Sequence, residues 1–140
     1  MPTLFTRIID GELPGRFVWR DPQVVAFLTI NPITVGHTLV VPVAEVDHWL
    51  DLEPGVAARA FAVSQAVGQA QMAAFSPTRI GLIIAGLEVP HTHLHLIPID
   101  AESDLSFAKA DPNPTAESLD DAAARLRQAL RAAGHAEVSD

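Results

Sequence analysis

The sequence predicts one domain of mixed helix and sheet, and three observations predict it. Five short segments rich in β-branched and aromatic residues are spaced along the first hundred residues, and two longer stretches carry apolar residues at helical spacing. The fourth and fifth strand segments are also joined closely enough to make them antiparallel neighbours. At 140 residues, 49% of them hydrophobic, the chain can bury roughly two-thirds of its unfolded surface in a single core.

Leu4, Phe5, Ile8 and Ile9 form a short helical pattern that Gly11 and Pro14-Gly15 end, a lid for the sheet. Phe17-Val18-Trp19 and Val24 to Leu28 read as a hairpin around the turn former Asp21-Pro22. The loop Asn31-Pro32-Ile33-Thr34-Val35-Gly36 leads into a third strand, His37 to Pro42, apolar enough to be central, with His37 at its mouth. From Pro54 to Phe75, Val56, Ala60, Val63, Val67, Ala70 and Ala74 recur at steps of four and three, one face of a helix that Pro54 opens and Ser76-Pro77 stops. Gly68 inside it should cost about 1 kcal/mol relative to alanine.

Ile80 to Ala85 reads as the fourth strand, and Gly86-Leu87-Glu88 as the turn into the fifth, Val89 to Ile97, with Pro90 at its start. After Asp100 the chain becomes polar, with Pro112 and Pro114. Only Leu105 and Phe107 look like anchors there, so the segment from Asp100 to Pro114 is expected to lie over the sheet or against a partner and to border the pocket. A last helix follows: Ser118 with Asp121 is a capping-box-like start, Leu119, Leu126, Leu130 and Ala133 form its stripe, and Gly134 suits its end. Arg125, Arg127 and Arg131 read as a solvated face.

Three of the six histidines, His91, His93 and His95, stand at every second position. In a strand they would share one face, with Leu94 and Leu96 turned into the core. Alternate residues are about 6.6 Å apart along a strand. Neighbours can therefore converge on one metal ion with bonds of about 2.0–2.1 Å, but the outer pair cannot, and further ligands must come from elsewhere. The other use is nucleophilic and acid–base chemistry, because imidazole titrates near neutrality and one ring nitrogen can attack while the other is held.

Composition narrows the partners. A formal charge of −8 argues against a broad nucleic-acid face or an anionic membrane surface, yet leaves room for a small phosphate compound in a local pocket. Without cysteine there is no disulfide, thiolate nucleophile or cysteine-bound zinc. Arg7, Asp10 and Glu12 interrupt the N-terminal stretch where a signal peptide would need an apolar run, and no span of roughly 20 apolar residues occurs. The expectation is a cytoplasmic protein with no membrane and no nucleic-acid partner.

His91-Thr92-His93-Leu94-His95-Leu96-Ile97 resembles the His-φ-His-φ-His-φ-φ motif, φ being apolar, of the histidine triad (HIT) family, with Thr92 as the one polar φ. The resemblance continues through Phe5 to Pro14, Val25 to Leu28, Asn31-Pro32 and Gly36 to Pro42, in order, over about the first hundred residues. It implies an α+β domain with a HIT-like fold: a central antiparallel sheet of about five strands, a long helix packed on it and a C-terminal helix. Residues 1–100 would form the HIT-like domain and 101–140 a C-terminal extension of that same domain. It also implies a homodimer and a hydrolase or transferase acting on the α-phosphate of a nucleotide derivative, of nucleoside phosphoramidase or dinucleoside polyphosphate hydrolase type. No cofactor is implied, and the expected ligand is a purine nucleotide or nucleotide conjugate.

By that likeness His93 is the nucleophile that forms a nucleotidyl-histidine, His91 and His95 orient it and contact phosphate, and His37 holds the central ring. Thr29, Asn31, Phe27, Leu28, Ile8, Glu88 and Val89 are expected to line the substrate, with Phe17 and Ile30 as further walls of a base pocket. The chain departs from its relatives in several places. Thr3 and Thr6 stand where many have a zinc-binding cysteine pair and Glu45 where they have a histidine, so no metal is expected. Thr29 stands where an aspartate often holds the ribose, Leu87 replaces a common glutamine, and the connection from Ile83 to Glu88 lacks an asparagine-bearing loop. The altered Thr29 and Leu87 leave one alternative, a nucleotide-binding or regulatory module with weak or no catalysis, and the histidine spacing leaves another, a metal-dependent hydrolase using His91, His93 and a distant carboxylate.

Overall fold

Successive side chains of a strand point to opposite faces, so a sheet with apolar residues at every position must be covered on both sides. In the computed structural model, which describes residues 1–140, that is what happens. Helix α1 (Leu4–Ile9) precedes strands β1 (Phe17–Arg20), β2 (Val24–Leu28) and β3 (Thr38–Pro42). Helix α2 (Pro54–Phe75) leads to strands β4 (Arg79–Ile83) and β5 (Leu94–Ile99), and helix α3 (Ala116–Ala132) follows. Single 3₁₀ turns lie at Trp49–Asp51, Glu102–Asp104 and Phe107–Lys109. The five strands form one sheet in the order β1-β2-β3-β5-β4, antiparallel throughout, with β3 at its centre.

The back face carries the main core. Ala26 and Leu28 of β2, Val40 of β3, and Leu94 and Leu96 of β5 pack against Ala60, Val63, Val67 and Ala70 of α2 and Ala122, Ala123, Leu126 and Leu130 of α3. The front face is smaller: Phe17, Val25, Phe27, Leu39 and Val41 lie under Phe5 of α1, which does act as a lid. Two polar residues of α2 also point inward, and apolar periodicity does not reveal them. Ser64 donates to the Ala60 carbonyl, and Gln71 Nε2 donates to the carbonyls of Gly36 and Leu96 at 2.9 and 3.0 Å. Gln71 thereby sews the helix to β5 and to the loop before β3.

Several boundaries differ from the sequence reading, and those around β4, β5 and α3 matter for the site. β4 stops at Ile83, and β5 starts only at Leu94, so the residues from Val89 to His93 are not strand. Pro90 has no N–H to give a ladder. Beyond it the chain is held by other bonds: the His91 N–H donates to the Val89 carbonyl at 2.8 Å, and the Thr92 N–H and hydroxyl both donate to the Val46 carbonyl, at 2.7 and 2.8 Å. This explains a threonine at a position where the motif has an apolar residue. Helix α3 begins earlier than expected, with Thr115 rather than Ser118 as its cap, its hydroxyl accepting from the Ser118 N–H. Nor are its arginines a plain solvated face. Arg127 donates to the Phe17 and Ser139 carbonyls, Arg125 forms a hydrogen bond to the Ala74 carbonyl, and Arg131 pairs with Asp140.

Candidate active site

β5 and the bend before it bring the histidines to the front face. In the β3–β5 register Leu39 lies opposite His95, so His95 and the front-face residue Leu39 share a side, while Leu94 and Leu96 turn to the back core. The rings form a row: His91 and His93 both lie edge-on to Phe5, with centroids at 5.8 and 4.8 Å, His93 is 4.8 Å from His95, and His95 is 5.2 Å from His37. The triplet thus shares a face as expected, although only His95 of the three belongs to a regular strand.

Hydrogen bonding assigns each ring its tautomer. A backbone carbonyl can only accept, so His93 Nδ1 must carry the proton it donates to the His91 carbonyl at 2.7 Å. Its Nε2 then bears a free lone pair. For His37 the partner is the Ile33 N–H, which donates to Nδ1 at 3.0 Å. His37 Nε2 must hold the proton, which it donates to His95 Nδ1 at 2.9 Å. His95 is left with an N–H on Nε2. Among buried side-chain nitrogens and oxygens only Gln71 Oε1 lacks a partner, so the unbonded Nε2 atoms of His93 and His95 both reach solvent. One presents a lone pair and the other a proton.

This corrects two expected roles. His37 holds His95, not the central ring. His91 is fully buried with both nitrogens engaged: Nε2–H donates to the Pro42 carbonyl at 2.7 Å, and Nδ1 accepts from the Thr3 hydroxyl at 2.7 Å. It cannot touch a phosphate, and it orients His93 through its backbone carbonyl alone. It cannot share a metal either, and no group of three or more histidine, cysteine, aspartate or glutamate side chains is placed to hold one.

Burial favours the neutral form of His37, His93 and His95. Burial, reinforced by the neighbouring His95, pushes His37 down to about 3, and burial with His93 beside it pushes His95 down to about 4. Burial also lowers His93. A histidine depressed on folding is protonated first in the unfolded chain, so stability is full above about pH 6.5 and falls as pH drops toward these folded values. Between about pH 6.5 and 4.5 this loss belongs to the histidines, because the depressed carboxylates of Asp21, Glu45 and Asp104 start to contribute only below their own unfolded range. Thermal unfolding should therefore show Tm declining across that window, and His37→Asn should flatten the decline; an equally steep decline in the variant would contradict it.

The expected substrate residues divide. Phe27 stands in the front cluster, with Ile8 and Val89 packed partly buried against it, and Phe5, which the motif pattern did not single out, touches both Phe27 and His93. Thr29 is half-buried at the end of β2, where its N–H donates to the His37 carbonyl and its hydroxyl accepts from the Asn31 N–H. Glu88 is exposed on the approach to the histidines. The structure corrects one expectation and adds a contact to another. Leu28 belongs to the back core, since β2 alternation turns it away when Phe27 faces front. Asn31 gives one amide N–H to the Asp111 carbonyl at 3.1 Å, which ties it to the tail. Leu105 does anchor the tail over the front of the sheet, covering Gly81, whereas Phe107 stays half exposed with its ring 5.0 Å from His95.

Comparison with known proteins places this geometry among relatives. The HIT domain model matches residues 10–102. An uncharacterized HIT-like protein of Borreliella burgdorferi is 39% identical over 102 residues, 68% of this chain and 73% of that protein. The asymmetrical bis(5'-nucleosyl)-tetraphosphatase of Schizosaccharomyces pombe is 33% identical over 104 residues, 68% of this chain and 57% of that one. A crystal structure of a Zn-bound histidine triad family protein from Mycobacterium smegmatis superposes with a TM-score of 0.79 at 28% identity, covering 93% of this chain and 94% of that one. In the present chain Thr3, Thr6 and Glu45 do not fit such an ion. They form a hydrogen-bonded cluster in which the Thr6 N–H donates to the Thr3 hydroxyl and the Thr3 N–H to Glu45 at 2.7 Å, two of the three side chains are neutral hydroxyls that make poor zinc ligands, and the Thr3 hydroxyl already occupies His91 Nδ1.

Proposed function

The chain belongs to the HIT domain family, and from that premise we propose that it is a nucleotidyl hydrolase or transferase in which His93 attacks the α-phosphorus of a nucleotide derivative. The observation that carries this reading is the fixed Nδ1–H tautomer of His93, which leaves the Nε2 lone pair in solvent beside the N–H of His95. As the bond from Nε2 to phosphorus forms, the bond from phosphorus to the leaving group breaks. The leaving group departs with its electron pair and takes a proton from water. The imidazole ring gains positive charge, and the Nδ1–H bond to the His91 carbonyl strengthens as it becomes charge-assisted. His95 donates its Nε2–H to a phosphoryl oxygen, where charge grows in the transition state. Water then cleaves the nitrogen–phosphorus bond and restores His93.

A purine nucleotide, as a phosphoramidate or a dinucleoside polyphosphate, is the substrate class, with Ile8, Phe27 and Val89 as the apolar side of the pocket and Thr29 at the ribose. Turnover of a nucleotide panel tests this, and no turnover of any member would overturn it. One observation favours a second reading, a nucleotide-binding module without efficient catalysis: Leu87 is 94% exposed and offers no polar group to a leaving group. Calorimetry separates the two, because binding without turnover, unchanged by His93→Ala, belongs to the module.

The homodimer contact belongs at β4. Its outer edge is unpaired, and Phe61, Met72 and Leu82 are exposed along the groove it forms with α2. Leu82→Asp should convert a dimer to a monomer in sedimentation; a variant as dimeric as the wild type would rule out this edge. No helix is long and apolar enough to cross a membrane, and a cytoplasmic setting suits a cysteine-free nucleotide enzyme.

A further inference from the structure

We infer that Phe107 is a specificity-determining residue, stacking against an aromatic ring carried by the substrate. The inference rests on the phosphoryl-transfer reading for its kinetic readout, but its structural basis is separate. After β5 the chain runs as a strap across the front of the sheet, fixed at both ends. At its start the Asp104 carboxylate accepts from the backbone N–H groups of Asp100 and Ala101, at 2.9 and 3.1 Å, and Leu105 seats on Gly81. A Cβ at position 81 would fall 2.6 Å from a Leu105 methyl, so any larger residue there would displace Leu105 from its present seat. At the far end the Asp111 N–H donates to the Pro32 carbonyl at 2.9 Å, and Asn31 donates to the Asp111 carbonyl.

Between the two anchors stands Phe107. Its ring meets His95 edge-on, with planes at 69°, yet the residue is 49% exposed. An exposed apolar residue is ordinary by itself. This one is held beside the histidine that presents its N–H to solvent, on a segment fixed on both sides, with about half of the residue uncovered. A second aromatic ring, offset-stacked or edge-on, is the group that gains most there. The source of that ring is either the leaving group or the nucleobase, and the experiment separates them.

Four nucleoside phosphoramidates form two pairs: benzylamine against cyclohexylmethylamine on one nucleoside, and uridine against 5,6-dihydrouridine with one amine. In each pair size is nearly kept and aromaticity removed. The wild type should prefer the aromatic member of one pair by roughly three- to tenfold in kcat/KM. The preference should lie in KM, vanish in Phe107→Leu and return in Phe107→Trp. The pair that responds identifies the ring. Absence of preference in both pairs, or a preference that survives Phe107→Leu in a variant with wild-type Tm, overturns the inference. If the wild type turns over none of the four compounds, it is the phosphoryl-transfer reading that fails, and the same preference is then read from dissociation constants in calorimetry.

Discussion

Replacing His93 by alanine is expected to lower nucleotidyl transfer by on the order of 10⁴-fold or more, the scale on which removal of a covalent nucleophile acts. The size follows from the arrangement of the row. His91 has no free nitrogen, His37 gives both of its own to Ile33 and His95, and His95 presents a proton instead of a lone pair. No neighbour can take over the attack. Nucleotide affinity should change far less, since the apolar side of the pocket and the N–H of His95 remain. His95→Ala should be milder, on the order of 10²- to 10³-fold, because it removes one donor to the phosphoryl oxygens and leaves the nucleophile. Steady-state kinetics on one phosphoramidate measures both, and equal losses would show that the division of roles is wrong.

The second large effect is on stability. Gly36 has φ +92°, and a Cβ there would fall 2.3 Å from the Phe75 ring at the end of α2. Its carbonyl also accepts from the Gln71 amide and the Thr38 hydroxyl. Gly36→Val therefore combines a strained backbone for a β-branched residue with a steric conflict, and it should destabilise the fold by about 3 kcal/mol or more. The residue that follows is His37, so the strain reaches the site directly. Denaturant unfolding measures the loss. A variant within about 1 kcal/mol of wild type would mean that Phe75 yields easily and that this close approach is not structurally demanding.

Where sequence periodicity is strong, it and the structure agree. The face of α2 from Ala60 to Ala70 is buried as its spacing requires, and helix bounds at Pro54 and Phe75 follow from a proline at the first position and a left-handed Ser76 after the last. Alternation also places Leu94 and Leu96 in the core opposite the site. It fails at Leu28, because a strand buried on both faces has no polar alternation to mark which side faces the ligand. The bend from Val89 to His93 escapes for a related reason. Its backbone is held by Val46, 46 residues from Thr92, and no local pattern announces a bond at that distance. Similarly, Asn31 sits in a motif block that suggests a ligand, but its partner is the tail at Asp111, 80 residues away. The motif marks the histidine row; the tautomers, and the withdrawal of His91 from the pocket, needed the positions of Thr3, Pro42 and Ile33.

The covalent intermediate is the most direct test of the account. Wild-type protein mixed with a nucleoside phosphoramidate and quenched in alkali, which spares phosphorus–nitrogen bonds, should show one nucleoside monophosphate added to its intact mass before steady state. Peptide mapping should place that adduct on His93 and nowhere else, and His93→Ala should show none. Product formation with no adduct, or an adduct on His91 or His95, would contradict the central claim that His93 Nε2 is the attacking atom.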